Sequence, residues 1–177
     1  QFIDGKWQQS SSGETYEVIN PATEEIIGKA SKANSKDIQR ALKSAEKGLE
    51  IWKNTAPWER SYIIRRIADL MRKRKDEIAK WLTLEVGKPF AEGLGETIAG
   101  ADIFEWNAEE TKRIYGQTIQ SRFSDTRVHV YYQPVGVAAA LVPWNFPIIL
   151  SSRKISTALG AGCSVICKPD IITTGSV

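Results

Sequence analysis

The stretch "GVAAALVPWNFPIILSSRKISTALGAGCSVICKP", residues 136–169, decides the fold. It begins within an apolar run over 135–142 with no polar alternation, the pattern of a parallel strand buried on both faces. Pro143 and Pro147 then bracket Trp144, Asn145 and Phe146. Pro147 suits the first turn of a helix reaching about Leu159, and Gly160 and Gly162 supply its exit. A second short apolar run, "CSVICKP", follows. Strand, helix and strand in that order make a right-handed βαβ unit, the beginning of a doubly wound parallel sheet.

Such sheets bind ligands beyond the carboxyl ends of their strands. Both strands here end in polar marks, Pro143-Trp144-Asn145 after the first and Lys168-Pro169-Asp170 after the second. Lys168 ends an apolar strand, where a buried ammonium is costly unless paired or wet. There it can donate to ribose hydroxyls or to phosphate. Asn145 offers an NH2 donor able to polarise a carbonyl or hold an oxyanion. The same residues also read as packing, with Trp144 a core plug, Asn145 a turn residue and Lys168 an end charge reaching for solvent. Spacing alone leaves both readings open.

Upstream the period changes twice. Short runs broken by Asp4-Gly5, Ser12-Gly13 and Asn20-Pro21 predict small antiparallel strands. Ile38, Ala41, Leu42, Ala45, Leu49 and Trp52 then recur at helical spacing, with Ser35 the expected N-cap. Pro57 opens a second helix whose stripe runs from Ile63 to Leu82 and which Gly87 and Pro89 stop. Its "RKRK" cluster at 72–75 lies opposite the stripe beside Asp69, Asp76 and Glu77, which predicts a solvated face. A third helix from about Ala91 to Ile114 presents Ile98, Ala101, Phe104 and Ala108. "GLGETIAG" inside it lacks the spacing of a phosphate loop and follows no strand. Residues 127–132 alternate, which predicts a strand with Val128 and Val130 on one face and His129 pointing outward.

Composition narrows the function. Of 177 residues, 42% are hydrophobic and 25% charged, the balance of a globular domain with a real core. A net charge of +3 with Lys and Arg interspersed among acids gives no case for nucleic acid or an acidic membrane. The sequence has neither an apolar stretch of spanning length nor a signal-like segment, so a cytoplasmic location is expected. The two cysteines, Cys163 and Cys167, read as reduced packing residues. With one distant histidine, His129, they make no metal site.

The quoted stretch resembles the cofactor-binding segment of the aldehyde dehydrogenase superfamily, through P-W-N-F-P followed by R-K, A-G-C and K-P at matching separations. The likeness extends through "APWERSYIIRRIADLMRKRKDEIAKWLTLEVGKP", "FEWNAEETKRIYGQTI" and "FIDGKW...VINPAT", essentially the whole chain, and is nearest to the NAD(P)-dependent succinate-semialdehyde dehydrogenases. It implies the N-terminal part of that α/β fold, with small antiparallel strands and long helices before the first βαβ unit of a Rossmann-like parallel sheet. Residues 1–120 would begin the cofactor-binding domain, 121–133 would be a strand lent to an oligomerisation domain, and 134–177 would be the βαβ unit.

The resemblance also implies roles. Val142, Pro143 and Trp144 would line a groove for NAD or NADP, with Lys168 on the adenosine ribose. Asn145 would donate to the aldehyde oxygen, and Arg153 would meet a distal carboxylate of the substrate. Ile171 stands where the family carries an acid or small polar residue that sorts NAD from NADP, with Asp170 beside it. The nucleophilic cysteine and general-base glutamate would lie beyond Val177, so the catalytic domain is expected to be absent and this chain inactive alone. The full-length form is expected to be a homo-oligomer acting on a small aldehyde. The alternative is a truncated remnant or an assembly module.

Overall fold

The computed structural model describes residues 1–177. Two small antiparallel pairs lead the chain: β1 (Phe2–Ile3) with β2 (Lys6–Trp7), and β3 (Thr15–Ile19) with β4 (Ile26–Ser31). Four helices follow: α1 (Ser35–Trp52), α2 (Pro57–Lys73), α3 (Lys75–Val86) and α4 (Phe90–Thr111). A hairpin of β5 (Gln117–Gln120) and β6 (Arg127–Val130) leads to β7 (Val137–Leu141), α5 (Pro147–Gly160) and β8 (Ser164–Lys168). β7 and β8 pair in parallel, Val137 opposite Ser164 and Leu141 opposite Lys168, so the expected βαβ unit is present. No helix is long and apolar enough to cross a membrane.

The core lies where α2, α4 and α5 meet. Ile64 and Ala68 pack on Ala101, Phe104 and Ala108, with Met71, Ile155 and Leu159 around them. Small residues bring α4 and α5 close. A Cβ on Gly100 would stand 2.6 Å from Ile148 Cγ2, and one on Gly160 would stand 2.8 Å from Thr111 Oγ1. The Trp52 indole N–H donates to the Leu159 carbonyl at 2.8 Å and fastens α1 to the end of α5.

Several sequence expectations need correction. The N-cap of α1 is Asn34 rather than Ser35. Its side chain accepts the N–H groups of Lys36 and Asp37, while Asp37 accepts that of Asn34 at 3.1 Å. This reciprocal box satisfies donors that the helix cannot. Ile38 falls outside the buried stripe of α1 and is exposed, whereas Asp37 is buried. The single helix expected over 57–86 is two, interrupted at Arg74 (φ −104°, ψ 16°). The "RKRK" cluster is not a purely solvated face, because Arg72 reaches across to Asp102 at 2.7 Å and also pairs with Glu105 of α4. Arg65 pairs with Glu105 and Glu109 in the same inter-helix ladder.

The first parallel strand is not buried on both faces. Ala140 is buried, but Leu141 is 64% exposed and Val135, just before the strand, 94%. Ala139 and Leu141 alternate with buried Ala140, so one face of this strand is open, and the two-stranded sheet leaves its edges unpaired. Val128 is likewise exposed, since both faces of the β5–β6 hairpin stand clear.

Candidate functional site

The parallel strands end together, and the ladder continues one step as the Val142 N–H donates to the Lys168 carbonyl at 3.1 Å. Beyond them lies an open groove lined by Leu141, Val142, Pro143, Lys168 and Asp170. Lys168 is exposed, with its ammonium 3.0 Å from the Pro169 carbonyl. Asp170 turns the chain, its carboxylate accepting the Ile172 N–H at 3.1 Å, and Ile171 points into solvent.

The loop that opens α5 follows Pro143 directly. Trp144 is 52% exposed, which corrects its reading as a core plug. Asn145 is exposed too, and only its backbone carbonyl is engaged, accepting from Lys88 at 3.2 Å. Lys88 also stands 4.6 Å over the Phe146 ring and pairs with buried Glu96. Glu96 in turn accepts the N–H groups of Ile148 at 2.9 Å and Ile149 at 3.4 Å. The residue before α5 is Phe146, whose side chain cannot cap, so an acid from α4 takes that role. A carboxylate at a helix N-terminus meets both the unpaired donors and the positive end of the dipole. Glu96 and Lys88 thus fix the Trp144-Asn145 loop while leaving the Asn145 amide group free to donate.

Sequence reading missed both residues. Lys88 lies in a segment read only as a helix stop, and Glu96 in "GLGETIAG", weighed only as a phosphate loop. A signal did exist, because Gly93, Glu96, Thr97, Gly100 and Phe104 follow the spacing of the buried face of α4. An acid on such a face requires a partner.

Arg153 is exposed on α5 and makes no ion pair within the chain. Its neighbour Lys154 turns back to donate to the Leu141 carbonyl at the end of β7. Cys163 is buried and Cys167 half-buried, and both thiols are free. Burial pushes the Cys167 thiol up, with a smaller opposing pull from Lys154, which is contrary to an activated nucleophile. His129 is exposed on the hairpin, within 3.2 Å of Thr118 Oγ1. No three His, Cys, Asp or Glu side chains come together to hold a metal.

An apolar floor, one ammonium and one carboxylate thus line the groove at the carboxyl edge of two parallel strands, and the unengaged Asn145 amide stands two residues beyond Pro143 in the following loop. The sequence profile described as "Aldehyde dehydrogenase family" matches residues 7–177. The chain belongs to the aldehyde dehydrogenase family. Among related aldehyde dehydrogenases, glutarate-semialdehyde dehydrogenase of Pseudomonas aeruginosa is 44% identical over 95% of this chain and 35% of its own length. The NADP(+) succinate-semialdehyde dehydrogenase GabD of Escherichia coli is 41% identical over the same shares. The crystal structure of succinate-semialdehyde dehydrogenase from Burkholderia pseudomallei superposes with a TM-score of 0.97 at 40% identity, over 99% of this chain and 36% of that one. The chain thus spans about a third of the length of the relatives it matches.

Proposed function

We propose that this chain supplies part of the cofactor side of an NAD(P)-dependent semialdehyde dehydrogenase, which oxidises a short aldehyde bearing a distal carboxylate. The observation that carries the reading is the exposed, unengaged side chain of Asn145, held by Lys88 and Glu96 beside the groove that ends at Lys168. The groove residues suit the adenosine half of a nicotinamide dinucleotide: Leu141, Val142 and Pro143 give an apolar floor, and Lys168 a donor for ribose or phosphate. When bound, that cofactor supplies the hydride acceptor of the oxidation. Asn145 donates its amide hydrogen to the aldehyde oxygen and holds the negative charge that develops there. Arg153, a planar cation with no internal partner, receives the distal carboxylate.

The relatives' names support a semialdehyde substrate, and free thiols at Cys163 and Cys167 suit a reducing compartment such as the cytoplasm. The β5–β6 hairpin exposes Ile119 and Val128 as cross-strand partners, an apolar spot that suits assembly into a homo-oligomer.

The test uses the protein expressed from its complete reading frame. NAD or NADP should bind and support oxidation of succinate or glutarate semialdehyde. Asn145→Ala should lower kcat by about 100-fold, as loss of one oxyanion donor does. Arg153→Ala should raise KM for the semialdehyde and spare aldehydes without a carboxylate. Retained kcat in the first variant, or a kcat/KM for the semialdehyde unchanged from the parent in the second, would remove the corresponding role.

A further inference from the structure

Glu85, in the last turn of α3, is 1% exposed, and no basic side chain pairs with it. Its carboxylate instead accepts three donors from two consecutive residues: the Gly175 N–H at 2.6 Å, the Ser176 N–H at 2.8 Å and the Ser176 hydroxyl at 2.7 Å. Burial pushes its pKa up, and those hydrogen bonds pull against the rise. A carboxylate without a cation is an expensive way to fill space. It is nevertheless acceptor-only on both oxygens, which an amide is not. Three converging donors require such a group.

The donors sit just past the groove. Between Lys168 and Gly175 the chain makes the Asp170 turn, with the Thr173 N–H donating to the Asp170 carbonyl at 3.1 Å and Thr173 fully buried. The far end is also closely packed, since a Cβ on Gly175 would stand 3.1 Å from the Trp81 ring of α3. Asp170 and Ile171 are therefore carried on a short arc fixed at Lys168 by the sheet and at Gly175-Ser176 by Glu85.

We infer that Glu85 is a positioning residue for the ribose side of the cofactor groove, setting through the Gly175-Ser176 backbone where Asp170 and Ile171 stand. The inference rests on the proposed cofactor reading. It assigns to α3, remote from the strand ends, a share in cofactor affinity and in discrimination at the ribose 2′ position.

The test measures Kd for NAD and for NADP, and kcat at saturating cofactor, in the protein from its complete reading frame. Glu85→Gln presents an NH2 to donors and should raise Kd for the preferred cofactor about tenfold, the equivalent of one hydrogen bond to a charged group. The NAD-to-NADP preference should narrow, while kcat at saturation and KM for the aldehyde stay within about twofold. Ser176→Ala removes one donor and should move Kd the same way by about threefold, as for a neutral hydrogen bond. It decides the matter if the Gln variant does not fold. Unchanged Kd and preference in the folded variant, or kcat falling in step with affinity, would overturn the inference. A wild-type protein that binds neither cofactor overturns the proposed function and this inference with it, whereas binding that Glu85 does not influence overturns the inference alone.

Discussion

Glu96 on α4 accepts the Ile148 backbone N–H at 2.9 Å, so one helix caps another 52 residues further along the chain. The same carboxylate neutralises Lys88, whose side chain is almost wholly buried. Removing Glu96 strands that ammonium, at about 3–5 kcal/mol for a broken buried pair, and uncaps α5. Glu96→Ala should shift the urea midpoint accordingly. The double variant with Lys88→Met should lose less than the sum of the two single losses. Additivity within about 0.5 kcal/mol would show that the two side chains are not coupled.

Acid should release the helix ladder and the N-terminal strands. Hydrogen bonds from Lys112 and then Arg65 hold Glu109 at about 2, below its ordinary 4.5. Asp37 is held well below the carboxylate range, chiefly by the Ser10 hydroxyl and also by the N–H groups of Asn34 and Ser11. A depressed carboxylate contributes stability that is complete above its ordinary pKa and disappears as pH falls through the folded value. Thermal midpoints should therefore fall as pH drops below about 4.5, and less steeply in Glu109→Gln and Asp37→Asn than in the parent. Parallel curves would refute the assignment.

Two glycines of α4 should respond in opposite directions to alanine. A Cβ on Gly95 meets nothing within 4 Å, so Gly95→Ala should stabilise by about 0.5–1 kcal/mol through helix propensity. A Cβ on Gly100 would clash with Ile148 and Ser152, so Gly100→Ala should destabilise by about 1–3 kcal/mol as α5 is pushed away. Denaturation midpoints of the two variants check the signs.

The 177-residue chain should self-associate. Both outer edges of the β7–β8 pair are unpaired, and Leu141 and Val135 are exposed beside one of them. Open edges with apolar side chains recruit further strands. Sedimentation velocity should show a concentration-dependent species that Leu141→Lys reduces. A concentration-independent monomer would contradict this.

The βαβ unit was legible because Pro147, Gly160 and Gly162 punctuate two apolar runs. Its groove residues followed from where parallel strands end. What stayed hidden depends on pairs distant in sequence. Glu85 and Lys88 look like ordinary helix-end charges until Ser176 and Asn145 arrive beside them, and Glu96, though its spacing put it on the buried face of α4, gave no sign that its partner would be Ile148. Apolar content also misled at Leu141, because hydrophobic character signals a wish to be covered and not the presence of a cover. The break at Arg74 left no mark in the periodicity, which carries across it. At α1, the choice between adjacent caps Asn34 and Ser35 turned on which side chain could pair reciprocally with Asp37.

The Trp52–Leu159 hydrogen bond spans 107 residues and has a temporal meaning. At ordinary synthesis rates the intervening chain takes on the order of 5–20 s to appear. For that interval α1 has been made but neither its anchor nor the strands β7 and β8 that it packs against have appeared. The bond cannot form until Leu159 has left the exit tunnel, so the seating of α1 is a late event in synthesis although the helix itself is made early.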